Sequence, residues 1–414
     1  MDEQFYELLE EEVKVVEPAT IPVTDMRGRI TVGPDTSPTG DERRVNRRYV
    51  NEQLNSRLVA MAPSGPWRTA VTAELPRGLN PLALMCTEDR IVVQCDGRWG
   101  LFSKKGDIMA SGMNGPGDII LDADGGRFFL VDENAFFAAY DLSAGRAAFV
   151  FDAIFGDSHT RTFMACRKGR FIGIGQKILV PIDSPEVQPP APEAVMEVLD
   201  LGERVEVEDG FASNVEPVRT LLRKTPVLLV AIIGDTLTAA TQDRIYVMDI
   251  ELKIKRVISG LFYPLAMSLD EKGRIYLIVE ANQKHEFWLL VPEGQRLVSL
   301  SLPLPRRGGF QPPIVAYNHS VYIPVEEAII IIGPAGDIKG YYKVTEAFSG
   351  AVITGDNKLL VSDGADIVTF DNEGQRKVLC SFPSEILRTA PILTENGLMW
   401  VATDKHLYGL KPTE

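Results

Sequence analysis

Ala390-Pro391-Ile392-Leu393-Thr394-Glu395-Asn396-Gly397-Leu398-Met399-Trp400-Val401-Ala402-Thr403-Asp404-Lys405-His406-Leu407-Tyr408-Gly409-Leu410 is one copy of a unit that recurs along most of the chain. An apolar run led by proline comes first. A turn carrying Asn396-Gly397 follows, then a second apolar run, a polar break at Thr403-Asp404-Lys405, and a third run. Fuller copies add a glycine turn and a fourth run. Short apolar runs bounded by turn residues read as strands. Four strands recurring at a period of about 40 residues are the signature of propeller blades. The expected fold is therefore all-β: an eight-bladed β-propeller of four-stranded antiparallel blades, or seven-bladed if the third unit is misread.

The units cover about 80–114 and 117–153, a third from 160 with a long interruption, then 227–261, 263–302, 310–345, 349–384 and 387–414. Gly273, Gly294, Gly336, Gly374 and Gly397 fall between runs, where tight hairpins require φ > 0. The leading runs are almost wholly apolar, as expected of strands buried between neighbouring blades. The eighth unit ends after Leu407-Tyr408-Gly409-Leu410, its third run. Three strands would leave an open edge. The segment 67–75, Trp67-Arg68-Thr69-Ala70-Val71-Thr72-Ala73-Glu74-Leu75, is a strand with no blade of its own and is expected to supply the missing one. That divides the chain into an N-terminal extension, 1–66, and a propeller, 67–414, with a Pro-rich acidic insertion at about 181–226.

Bulk composition narrows the function classes. Of 414 residues, 43 are Lys or Arg and 57 Asp or Glu, a formal charge of −14. Such a balance disfavours nucleic acid and anionic lipid as partners. No apolar run reaches the roughly 18 residues of a membrane span. The first residues, Met1-Asp2-Glu3-Gln4-Phe5-Tyr6-Glu7, have no basic-then-apolar leader pattern, which points to the cytoplasm, or to the periplasm if a leader has been removed. Cys86, Cys95, Cys166 and Cys380 form no CxxC and read as small buried hydrophobes.

The last unit resembles the PQQ-type propeller repeat, in which a small residue, Pro and two aliphatics lead to a closing Leu-Tyr-small-Leu. The second unit carries the other half of that pattern. Ala139-Tyr140-Asp141-Leu142-Ser143-Ala144-Gly145-Arg146-Ala147-Ala148-Phe149 is similar to the family's blade-docking motif: Ala139, Asp141 and Gly145 match, and Phe149 stands where the family has Trp. The resemblance implies an eight-bladed ring and covers about 80–414. The family includes quinoprotein dehydrogenases and non-catalytic scaffolds. No position here matches the enzymes' calcium ligands, and no two cysteines are adjacent, so no cofactor, metal or catalytic residue is assigned.

Other candidate motifs read as structure. Asp122-Ala123-Asp124-Gly125-Gly126 starts like a calcium loop but has Gly126 at the third ligand position and no closing Glu, leaving a hairpin turn. Asp270-Glu271-Lys272-Gly273 is a turn of the same kind. His159, His285, His319 and His406 have no metal-ligand spacing. His159 and His319 fall near loops at an end of the ring, as solvated or hydrogen-bonded side chains. Gly173-Ile174-Gly175 lacks a third glycine and a following helix, so it is strand rather than nucleotide loop.

Two segments lie outside the repeat. In the extension, Phe5, Leu8, Leu9, Val13 and Val16 share one face at helical spacing, with glutamates elsewhere, which predicts an acidic amphipathic helix that either packs on the outside of its own domain or docks in a partner's groove. A Pro/Thr/Gly linker, 18–39, leads to a second helix opened by Arg43, Arg44, Arg47 and Arg48, a basic face that is solvated or paired with acidic residues, or else contacts an acidic partner or phosphate. In the insertion, 194–201 and 205–207 are expected to supply the third blade's outer strands, behind a projecting Pro-rich loop. A rigid ring with two appendages and no recognisable chemistry predicts a non-catalytic protein-interaction scaffold, a subunit of a larger bacterial-type assembly. It would dock protein partners through the extension, the insertion loop and one propeller face. The alternative is an enzyme or small-ligand binder with its site at one mouth of the channel.

Overall fold

In the computed structural model the chain forms eight β-sheets, and no helix occurs among the described residues. The structure describes residues 66–413 apart from turns and loops, the longest being 114–119, 152–159, 178–192, 201–216 and 303–309, together with Val15–Val16; between 120 and 226 it describes chiefly the strands and their pairing.

The sheets follow one plan. In the fifth, Tyr263–Leu269, Ile275–Ala281, Lys284–Leu290 and Arg296–Ser301 lie side by side in chain order, each antiparallel to the next. The third and fourth strands are always joined with a one-residue slip, as at Leu289/Leu290, Ile331/Ile332 and Ile367/Val368. Such a bulge bends and twists the outer strand. First strands are neighbours of first strands: Thr160–Arg167 lies beside Ile120–Leu121 and beside Leu229–Ile233, which in turn meets Tyr263–Leu269. They therefore surround a common axis, and the fourth strands form the rim.

Burial follows that geometry. Val321–Val325 and Leu359–Asp363, both second strands, are buried throughout, whereas the rim strands Ile108–Met113 and Ile338–Lys343 alternate exposed and half-buried. A strand covered on both faces reads as a continuous apolar run, and one with a wet face alternates. Apolar cores lie between consecutive sheets. One joins Tyr276, Phe287 and Leu289 of the fifth sheet to Val321, Ile323 and Ile330 of the sixth. Another joins Trp400 and Leu407 of the eighth to Leu84, Ile91 and Phe102 of the first, so the series returns on itself. Between the first and second sheets, Trp99 meets Phe128 and Tyr140 edge-on, each at 5.0 Å. Aromatic pairs of this kind add about 0.5–1.5 kcal/mol to area burial.

The eighth sheet takes its fourth strand from upstream. Trp67–Glu74 pairs antiparallel with His406–Pro412, with Trp67 opposite Pro412 and Glu74 opposite His406. Trp67 enters the core shared with the seventh sheet, and Ala73 the core shared with the first.

Two expectations need correction or placing. The third sheet's outer pair is Glu193–Asp200 and Pro217–Arg223, not 194–201 and 205–207. A proline is tolerated as the first residue of a strand, so Pro217 opens that strand instead of marking loop. The helix expected over 5–16 falls outside the described residues except for Val15–Val16, which are strand, parallel to Ile254–Ser259. The basic helix and Asp122–Gly126 turn also lie outside them.

Candidate functional site

The two ends of the ring carry different chemistry. Inter-sheet loops and the turns between second and third strands share one end, the loop end. Turns between first and second, and third and fourth, strands share the other, the turn end.

At the loop end, the segment between the fourth and fifth sheets presents Leu261, 94% exposed, with Tyr263 beside it, also exposed. Gly260 N–H donates to Asp243 O at 2.9 Å, fixing the loop's approach. Leu261, Phe262 and Tyr263, with Gln242, Glu280 and Gln283, line a wide, shallow depression of about 390 Å³. Ile386, in the loop between the seventh and eighth sheets, and Leu82, near the start of the first sheet's inner strand, are exposed at the same end. Each such side chain forgoes about 1.5–3 kcal/mol of burial.

The same end carries a held carboxylate. Thr403 Oγ1 donates to Glu385 Oε2 at 2.6 Å, Tyr408 OH donates to Oε1 at 3.0 Å, and His406 Nδ1 lies 2.9 Å from Oε1. Burial, and then the bond and charge of Glu385, push the Tyr408 phenol up to about 12. A carboxylate on Nδ1 sets the imidazole tautomer and leaves Nε2 to accept a proton. Nearby, buried Asp363 accepts from Thr345 N–H at 2.8 Å and Thr345 Oγ1 at 2.5 Å, tying an inter-sheet loop down.

The turn end is closed by a buried polar cluster. Asp270 Oδ2 accepts from Arg274 Nε at 2.6 Å and Tyr276 OH at 3.0 Å, and Oδ1 from the Lys272 and Arg274 N–H groups. Arg274 Nη2 reaches across to the sixth sheet and donates to His319 Nδ1 at 2.5 Å. His319 is 6% exposed and has φ +67°. Its turn repeats the preceding sheet's: His319 N–H donates to Ala316 O as Gly273 N–H does to Asp270 O, so His319 stands where the fifth sheet has a glycine at φ +70°. Burial, and then the Arg274 charge, hold the imidazole at about 4, below its ordinary 6.5. Neutral His319 thus accepts from Arg274 at Nδ1, which keeps a buried cation satisfied on both sides.

Of the residues singled out in sequence, Phe5, Leu8, Leu9, Val13, Arg43, Arg44, Arg47 and Arg48 lie outside the described residues, as do Gly145 and His159. Ala139 and Asp141 sit on Phe137–Asp141, and Phe149 pairs with Ala139 next to a bulge. Leu261, Tyr263, Glu385 and Arg274 were not anticipated. The one available signal was Gly260-Leu261-Phe262-Tyr263, an apolar triplet at a unit boundary where a polar loop is expected. Among the described residues no cluster of His, Cys, Asp and Glu has the makings of a metal site, and no helix is long and apolar enough to cross a membrane.

Sheets radiating from an axis define a β-propeller. Neither a family model nor a curated protein matches the sequence. Solved structures do. The computationally designed Ika8 protein matches with TM-score 0.54 at 10% identity, over 84% of this chain and all of its own. BamB from Moraxella catarrhalis, a PQQ-like propeller protein, matches with TM-score 0.56 at 11% identity, over 83% of this chain and 99% of its own. At such identities the likeness shows the fold.

Proposed function

We propose that this protein is a non-catalytic interaction scaffold: an eight-bladed propeller, 67–414, carrying an extension, 1–66, as a subunit of a larger assembly. The loop end is its main docking face for protein partners. The observation that carries this reading is Leu261, almost fully exposed beside Tyr263 and a shallow depression. Exposed apolar side chains rimmed by polar groups such as Gln242, Glu280 and Gln283 suit a protein interface. The eight sheets in series and their likeness to two propellers support the blade number.

The test is a pair of variants, Leu261→Asp at the loop end and Tyr341→Asp on the rim, used in affinity capture from native lysate. The scaffold reading expects Leu261→Asp to lose partners that the parent and Tyr341→Asp retain. Equal capture by all three contradicts it. A second reading, a small-ligand site on the same face, rests on the Glu385-held His406. It expects His406→Ala to abolish ligand binding and leave protein capture intact.

A further inference from the structure

The one parallel pairing described is also the one that takes a sheet beyond four strands. Val15–Val16 lie beside the fourth sheet's rim strand, Val15 opposite Val257 and Val16 opposite Ile258. A second observation, the residue type on the rim, falls at the same place. Counted from the bulge that every rim strand carries, Val257 corresponds to Ser111, Ser299, Tyr341, Ser381 and, in the eighth sheet, Thr72. Ser111, Ser381, Thr72 and Tyr341 are exposed, Tyr341 at 71%, and Ser299 is half-buried. Val257 is 4% exposed. Among the six rims whose side-chain burial is described, the fourth sheet's alone has an aliphatic, buried residue there; the second and third sheets carry Val150 and Thr220 at that position.

The charges are arranged to match. Lys255 and Arg256 precede the paired stretch, whereas the paired residues are the uncharged Val257-Ile258. Charged residues on an edge block strand addition, and an uncharged stretch permits it. The β-branched pair Val15-Val16 favours the extended conformation that such docking needs. Reach is no obstacle: the 50 residues from 17 to 66 span about 165 Å fully extended.

We propose that 257–259 is a strand-accepting edge whose occupant is the chain's own Val15–Val16, docked by parallel strand addition as an intramolecular strap. The strap anchors the far end of the extension to the rim of the fourth sheet, while Trp67–Glu74 anchors its near end in the eighth. This inference does not rest on the scaffold reading.

Hydrogen exchange in the full chain tests it. Val16→Pro removes a backbone donor and is incompatible with a continuous ladder. The outward-facing amides of Val257 and Ser259 are expected to exchange at least about tenfold faster in this variant than in the parent, with Ile258, whose N–H faces Arg244–Asp249, and 338–343 unchanged, since a local opening frees only the paired edge. The second variant, Val257→Ser, installs the residue type found on other rims and leaves the extension intact; the amides of residues 15 and 16 are then expected to lose their protection. Unchanged exchange at Val257 and Ser259 overturns the proposal. So does protection of these two amides that appears only with rising protein concentration, which would assign the strand to a second copy.

Discussion

The loop end and the turn end are built from the same repeat, yet they spend their residues differently. At the turn end, glycines let the turn of one sheet press against the rim strand of the sheet before it. A Cβ on Gly336 (φ +80°) would lie 2.6 Å from Val298 Cγ2, and one on Gly106 (φ +88°) 2.8 Å from Val71 Cγ1. At the loop end, Gly97 has a similar φ of +67° but nothing within 4 Å of its Cβ position. The buried Asp270–Arg274–His319 cluster joins two sheets at the turn end, while Leu261 and Tyr263 stand in solvent at the loop end. The difference separates duties. The turn end joins neighbouring sheets through buried contacts, and the loop end sets exposed apolar side chains beside a few tied points, Thr345 on Asp363 and Gly350 against Ala390.

Substitutions at the two ends sharpen or break that contrast. Arg274→Ala should have the largest effect, because it strands a buried carboxylate; loss of one partner from a buried pair costs about 3–5 kcal/mol. Denaturant unfolding reads it directly. Gly336→Ala and Gly106→Ala combine strain with a steric clash and should cost about 2–3 kcal/mol, whereas Gly97→Ala, strained but unobstructed, should cost about 1 kcal/mol. Equal losses at all three positions would remove the distinction between the ends.

The His319 contribution depends on pH, with a definite sign. The unfolded chain protonates this imidazole near 6.5, but the folded chain, facing Arg274, Asp270 and Lys272, resists until about 4. Its stabilisation is therefore complete above pH 6.5 and declines as pH falls towards 4, by about 1–3 kcal/mol. His319→Asn, which tolerates positive φ, should flatten that part of the stability–pH curve. His319→Gly should be more stable than His319→Ala by about 0.5–1 kcal/mol, because glycine suits the left-handed backbone. The smallest effect belongs to the loop end: Leu261→Asp should leave the melting curve within about 0.5 kcal/mol of the parent.

Much of the architecture was readable because it is local. Each sheet's strands are consecutive in the chain, so apolar runs and glycine turns mark them directly. Gly273, Gly294, Gly336 and Gly374 all take positive φ in turns. Counting three runs in the last unit pointed to a strand elsewhere, and Trp67–Glu74 lies in the eighth sheet. What was hidden depends on contacts between units. Arg274 and His319 are 45 positions apart, and no periodicity ties them. His319 occupies a glycine-type turn position, so its turn gave no glycine signal. Pro217 opens the third sheet's rim strand, which was expected at 205–207. Leu261 was read as a boundary residue because exposure of an apolar side chain cannot be seen in a run of apolar residues.

Closure of the ring by Trp67–Glu74 underlies the whole account, since it seats Val71 under Gly106 and Trp67 against the seventh sheet. The direct measurement is the unfolding of two truncated chains, residues 66–414 and 76–414, followed by tryptophan fluorescence and circular dichroism. One sharp, coincident transition is expected for 66–414, and a broad, non-coincident loss of structure for 76–414. Equally cooperative transitions at the same midpoint in both chains would contradict that closure.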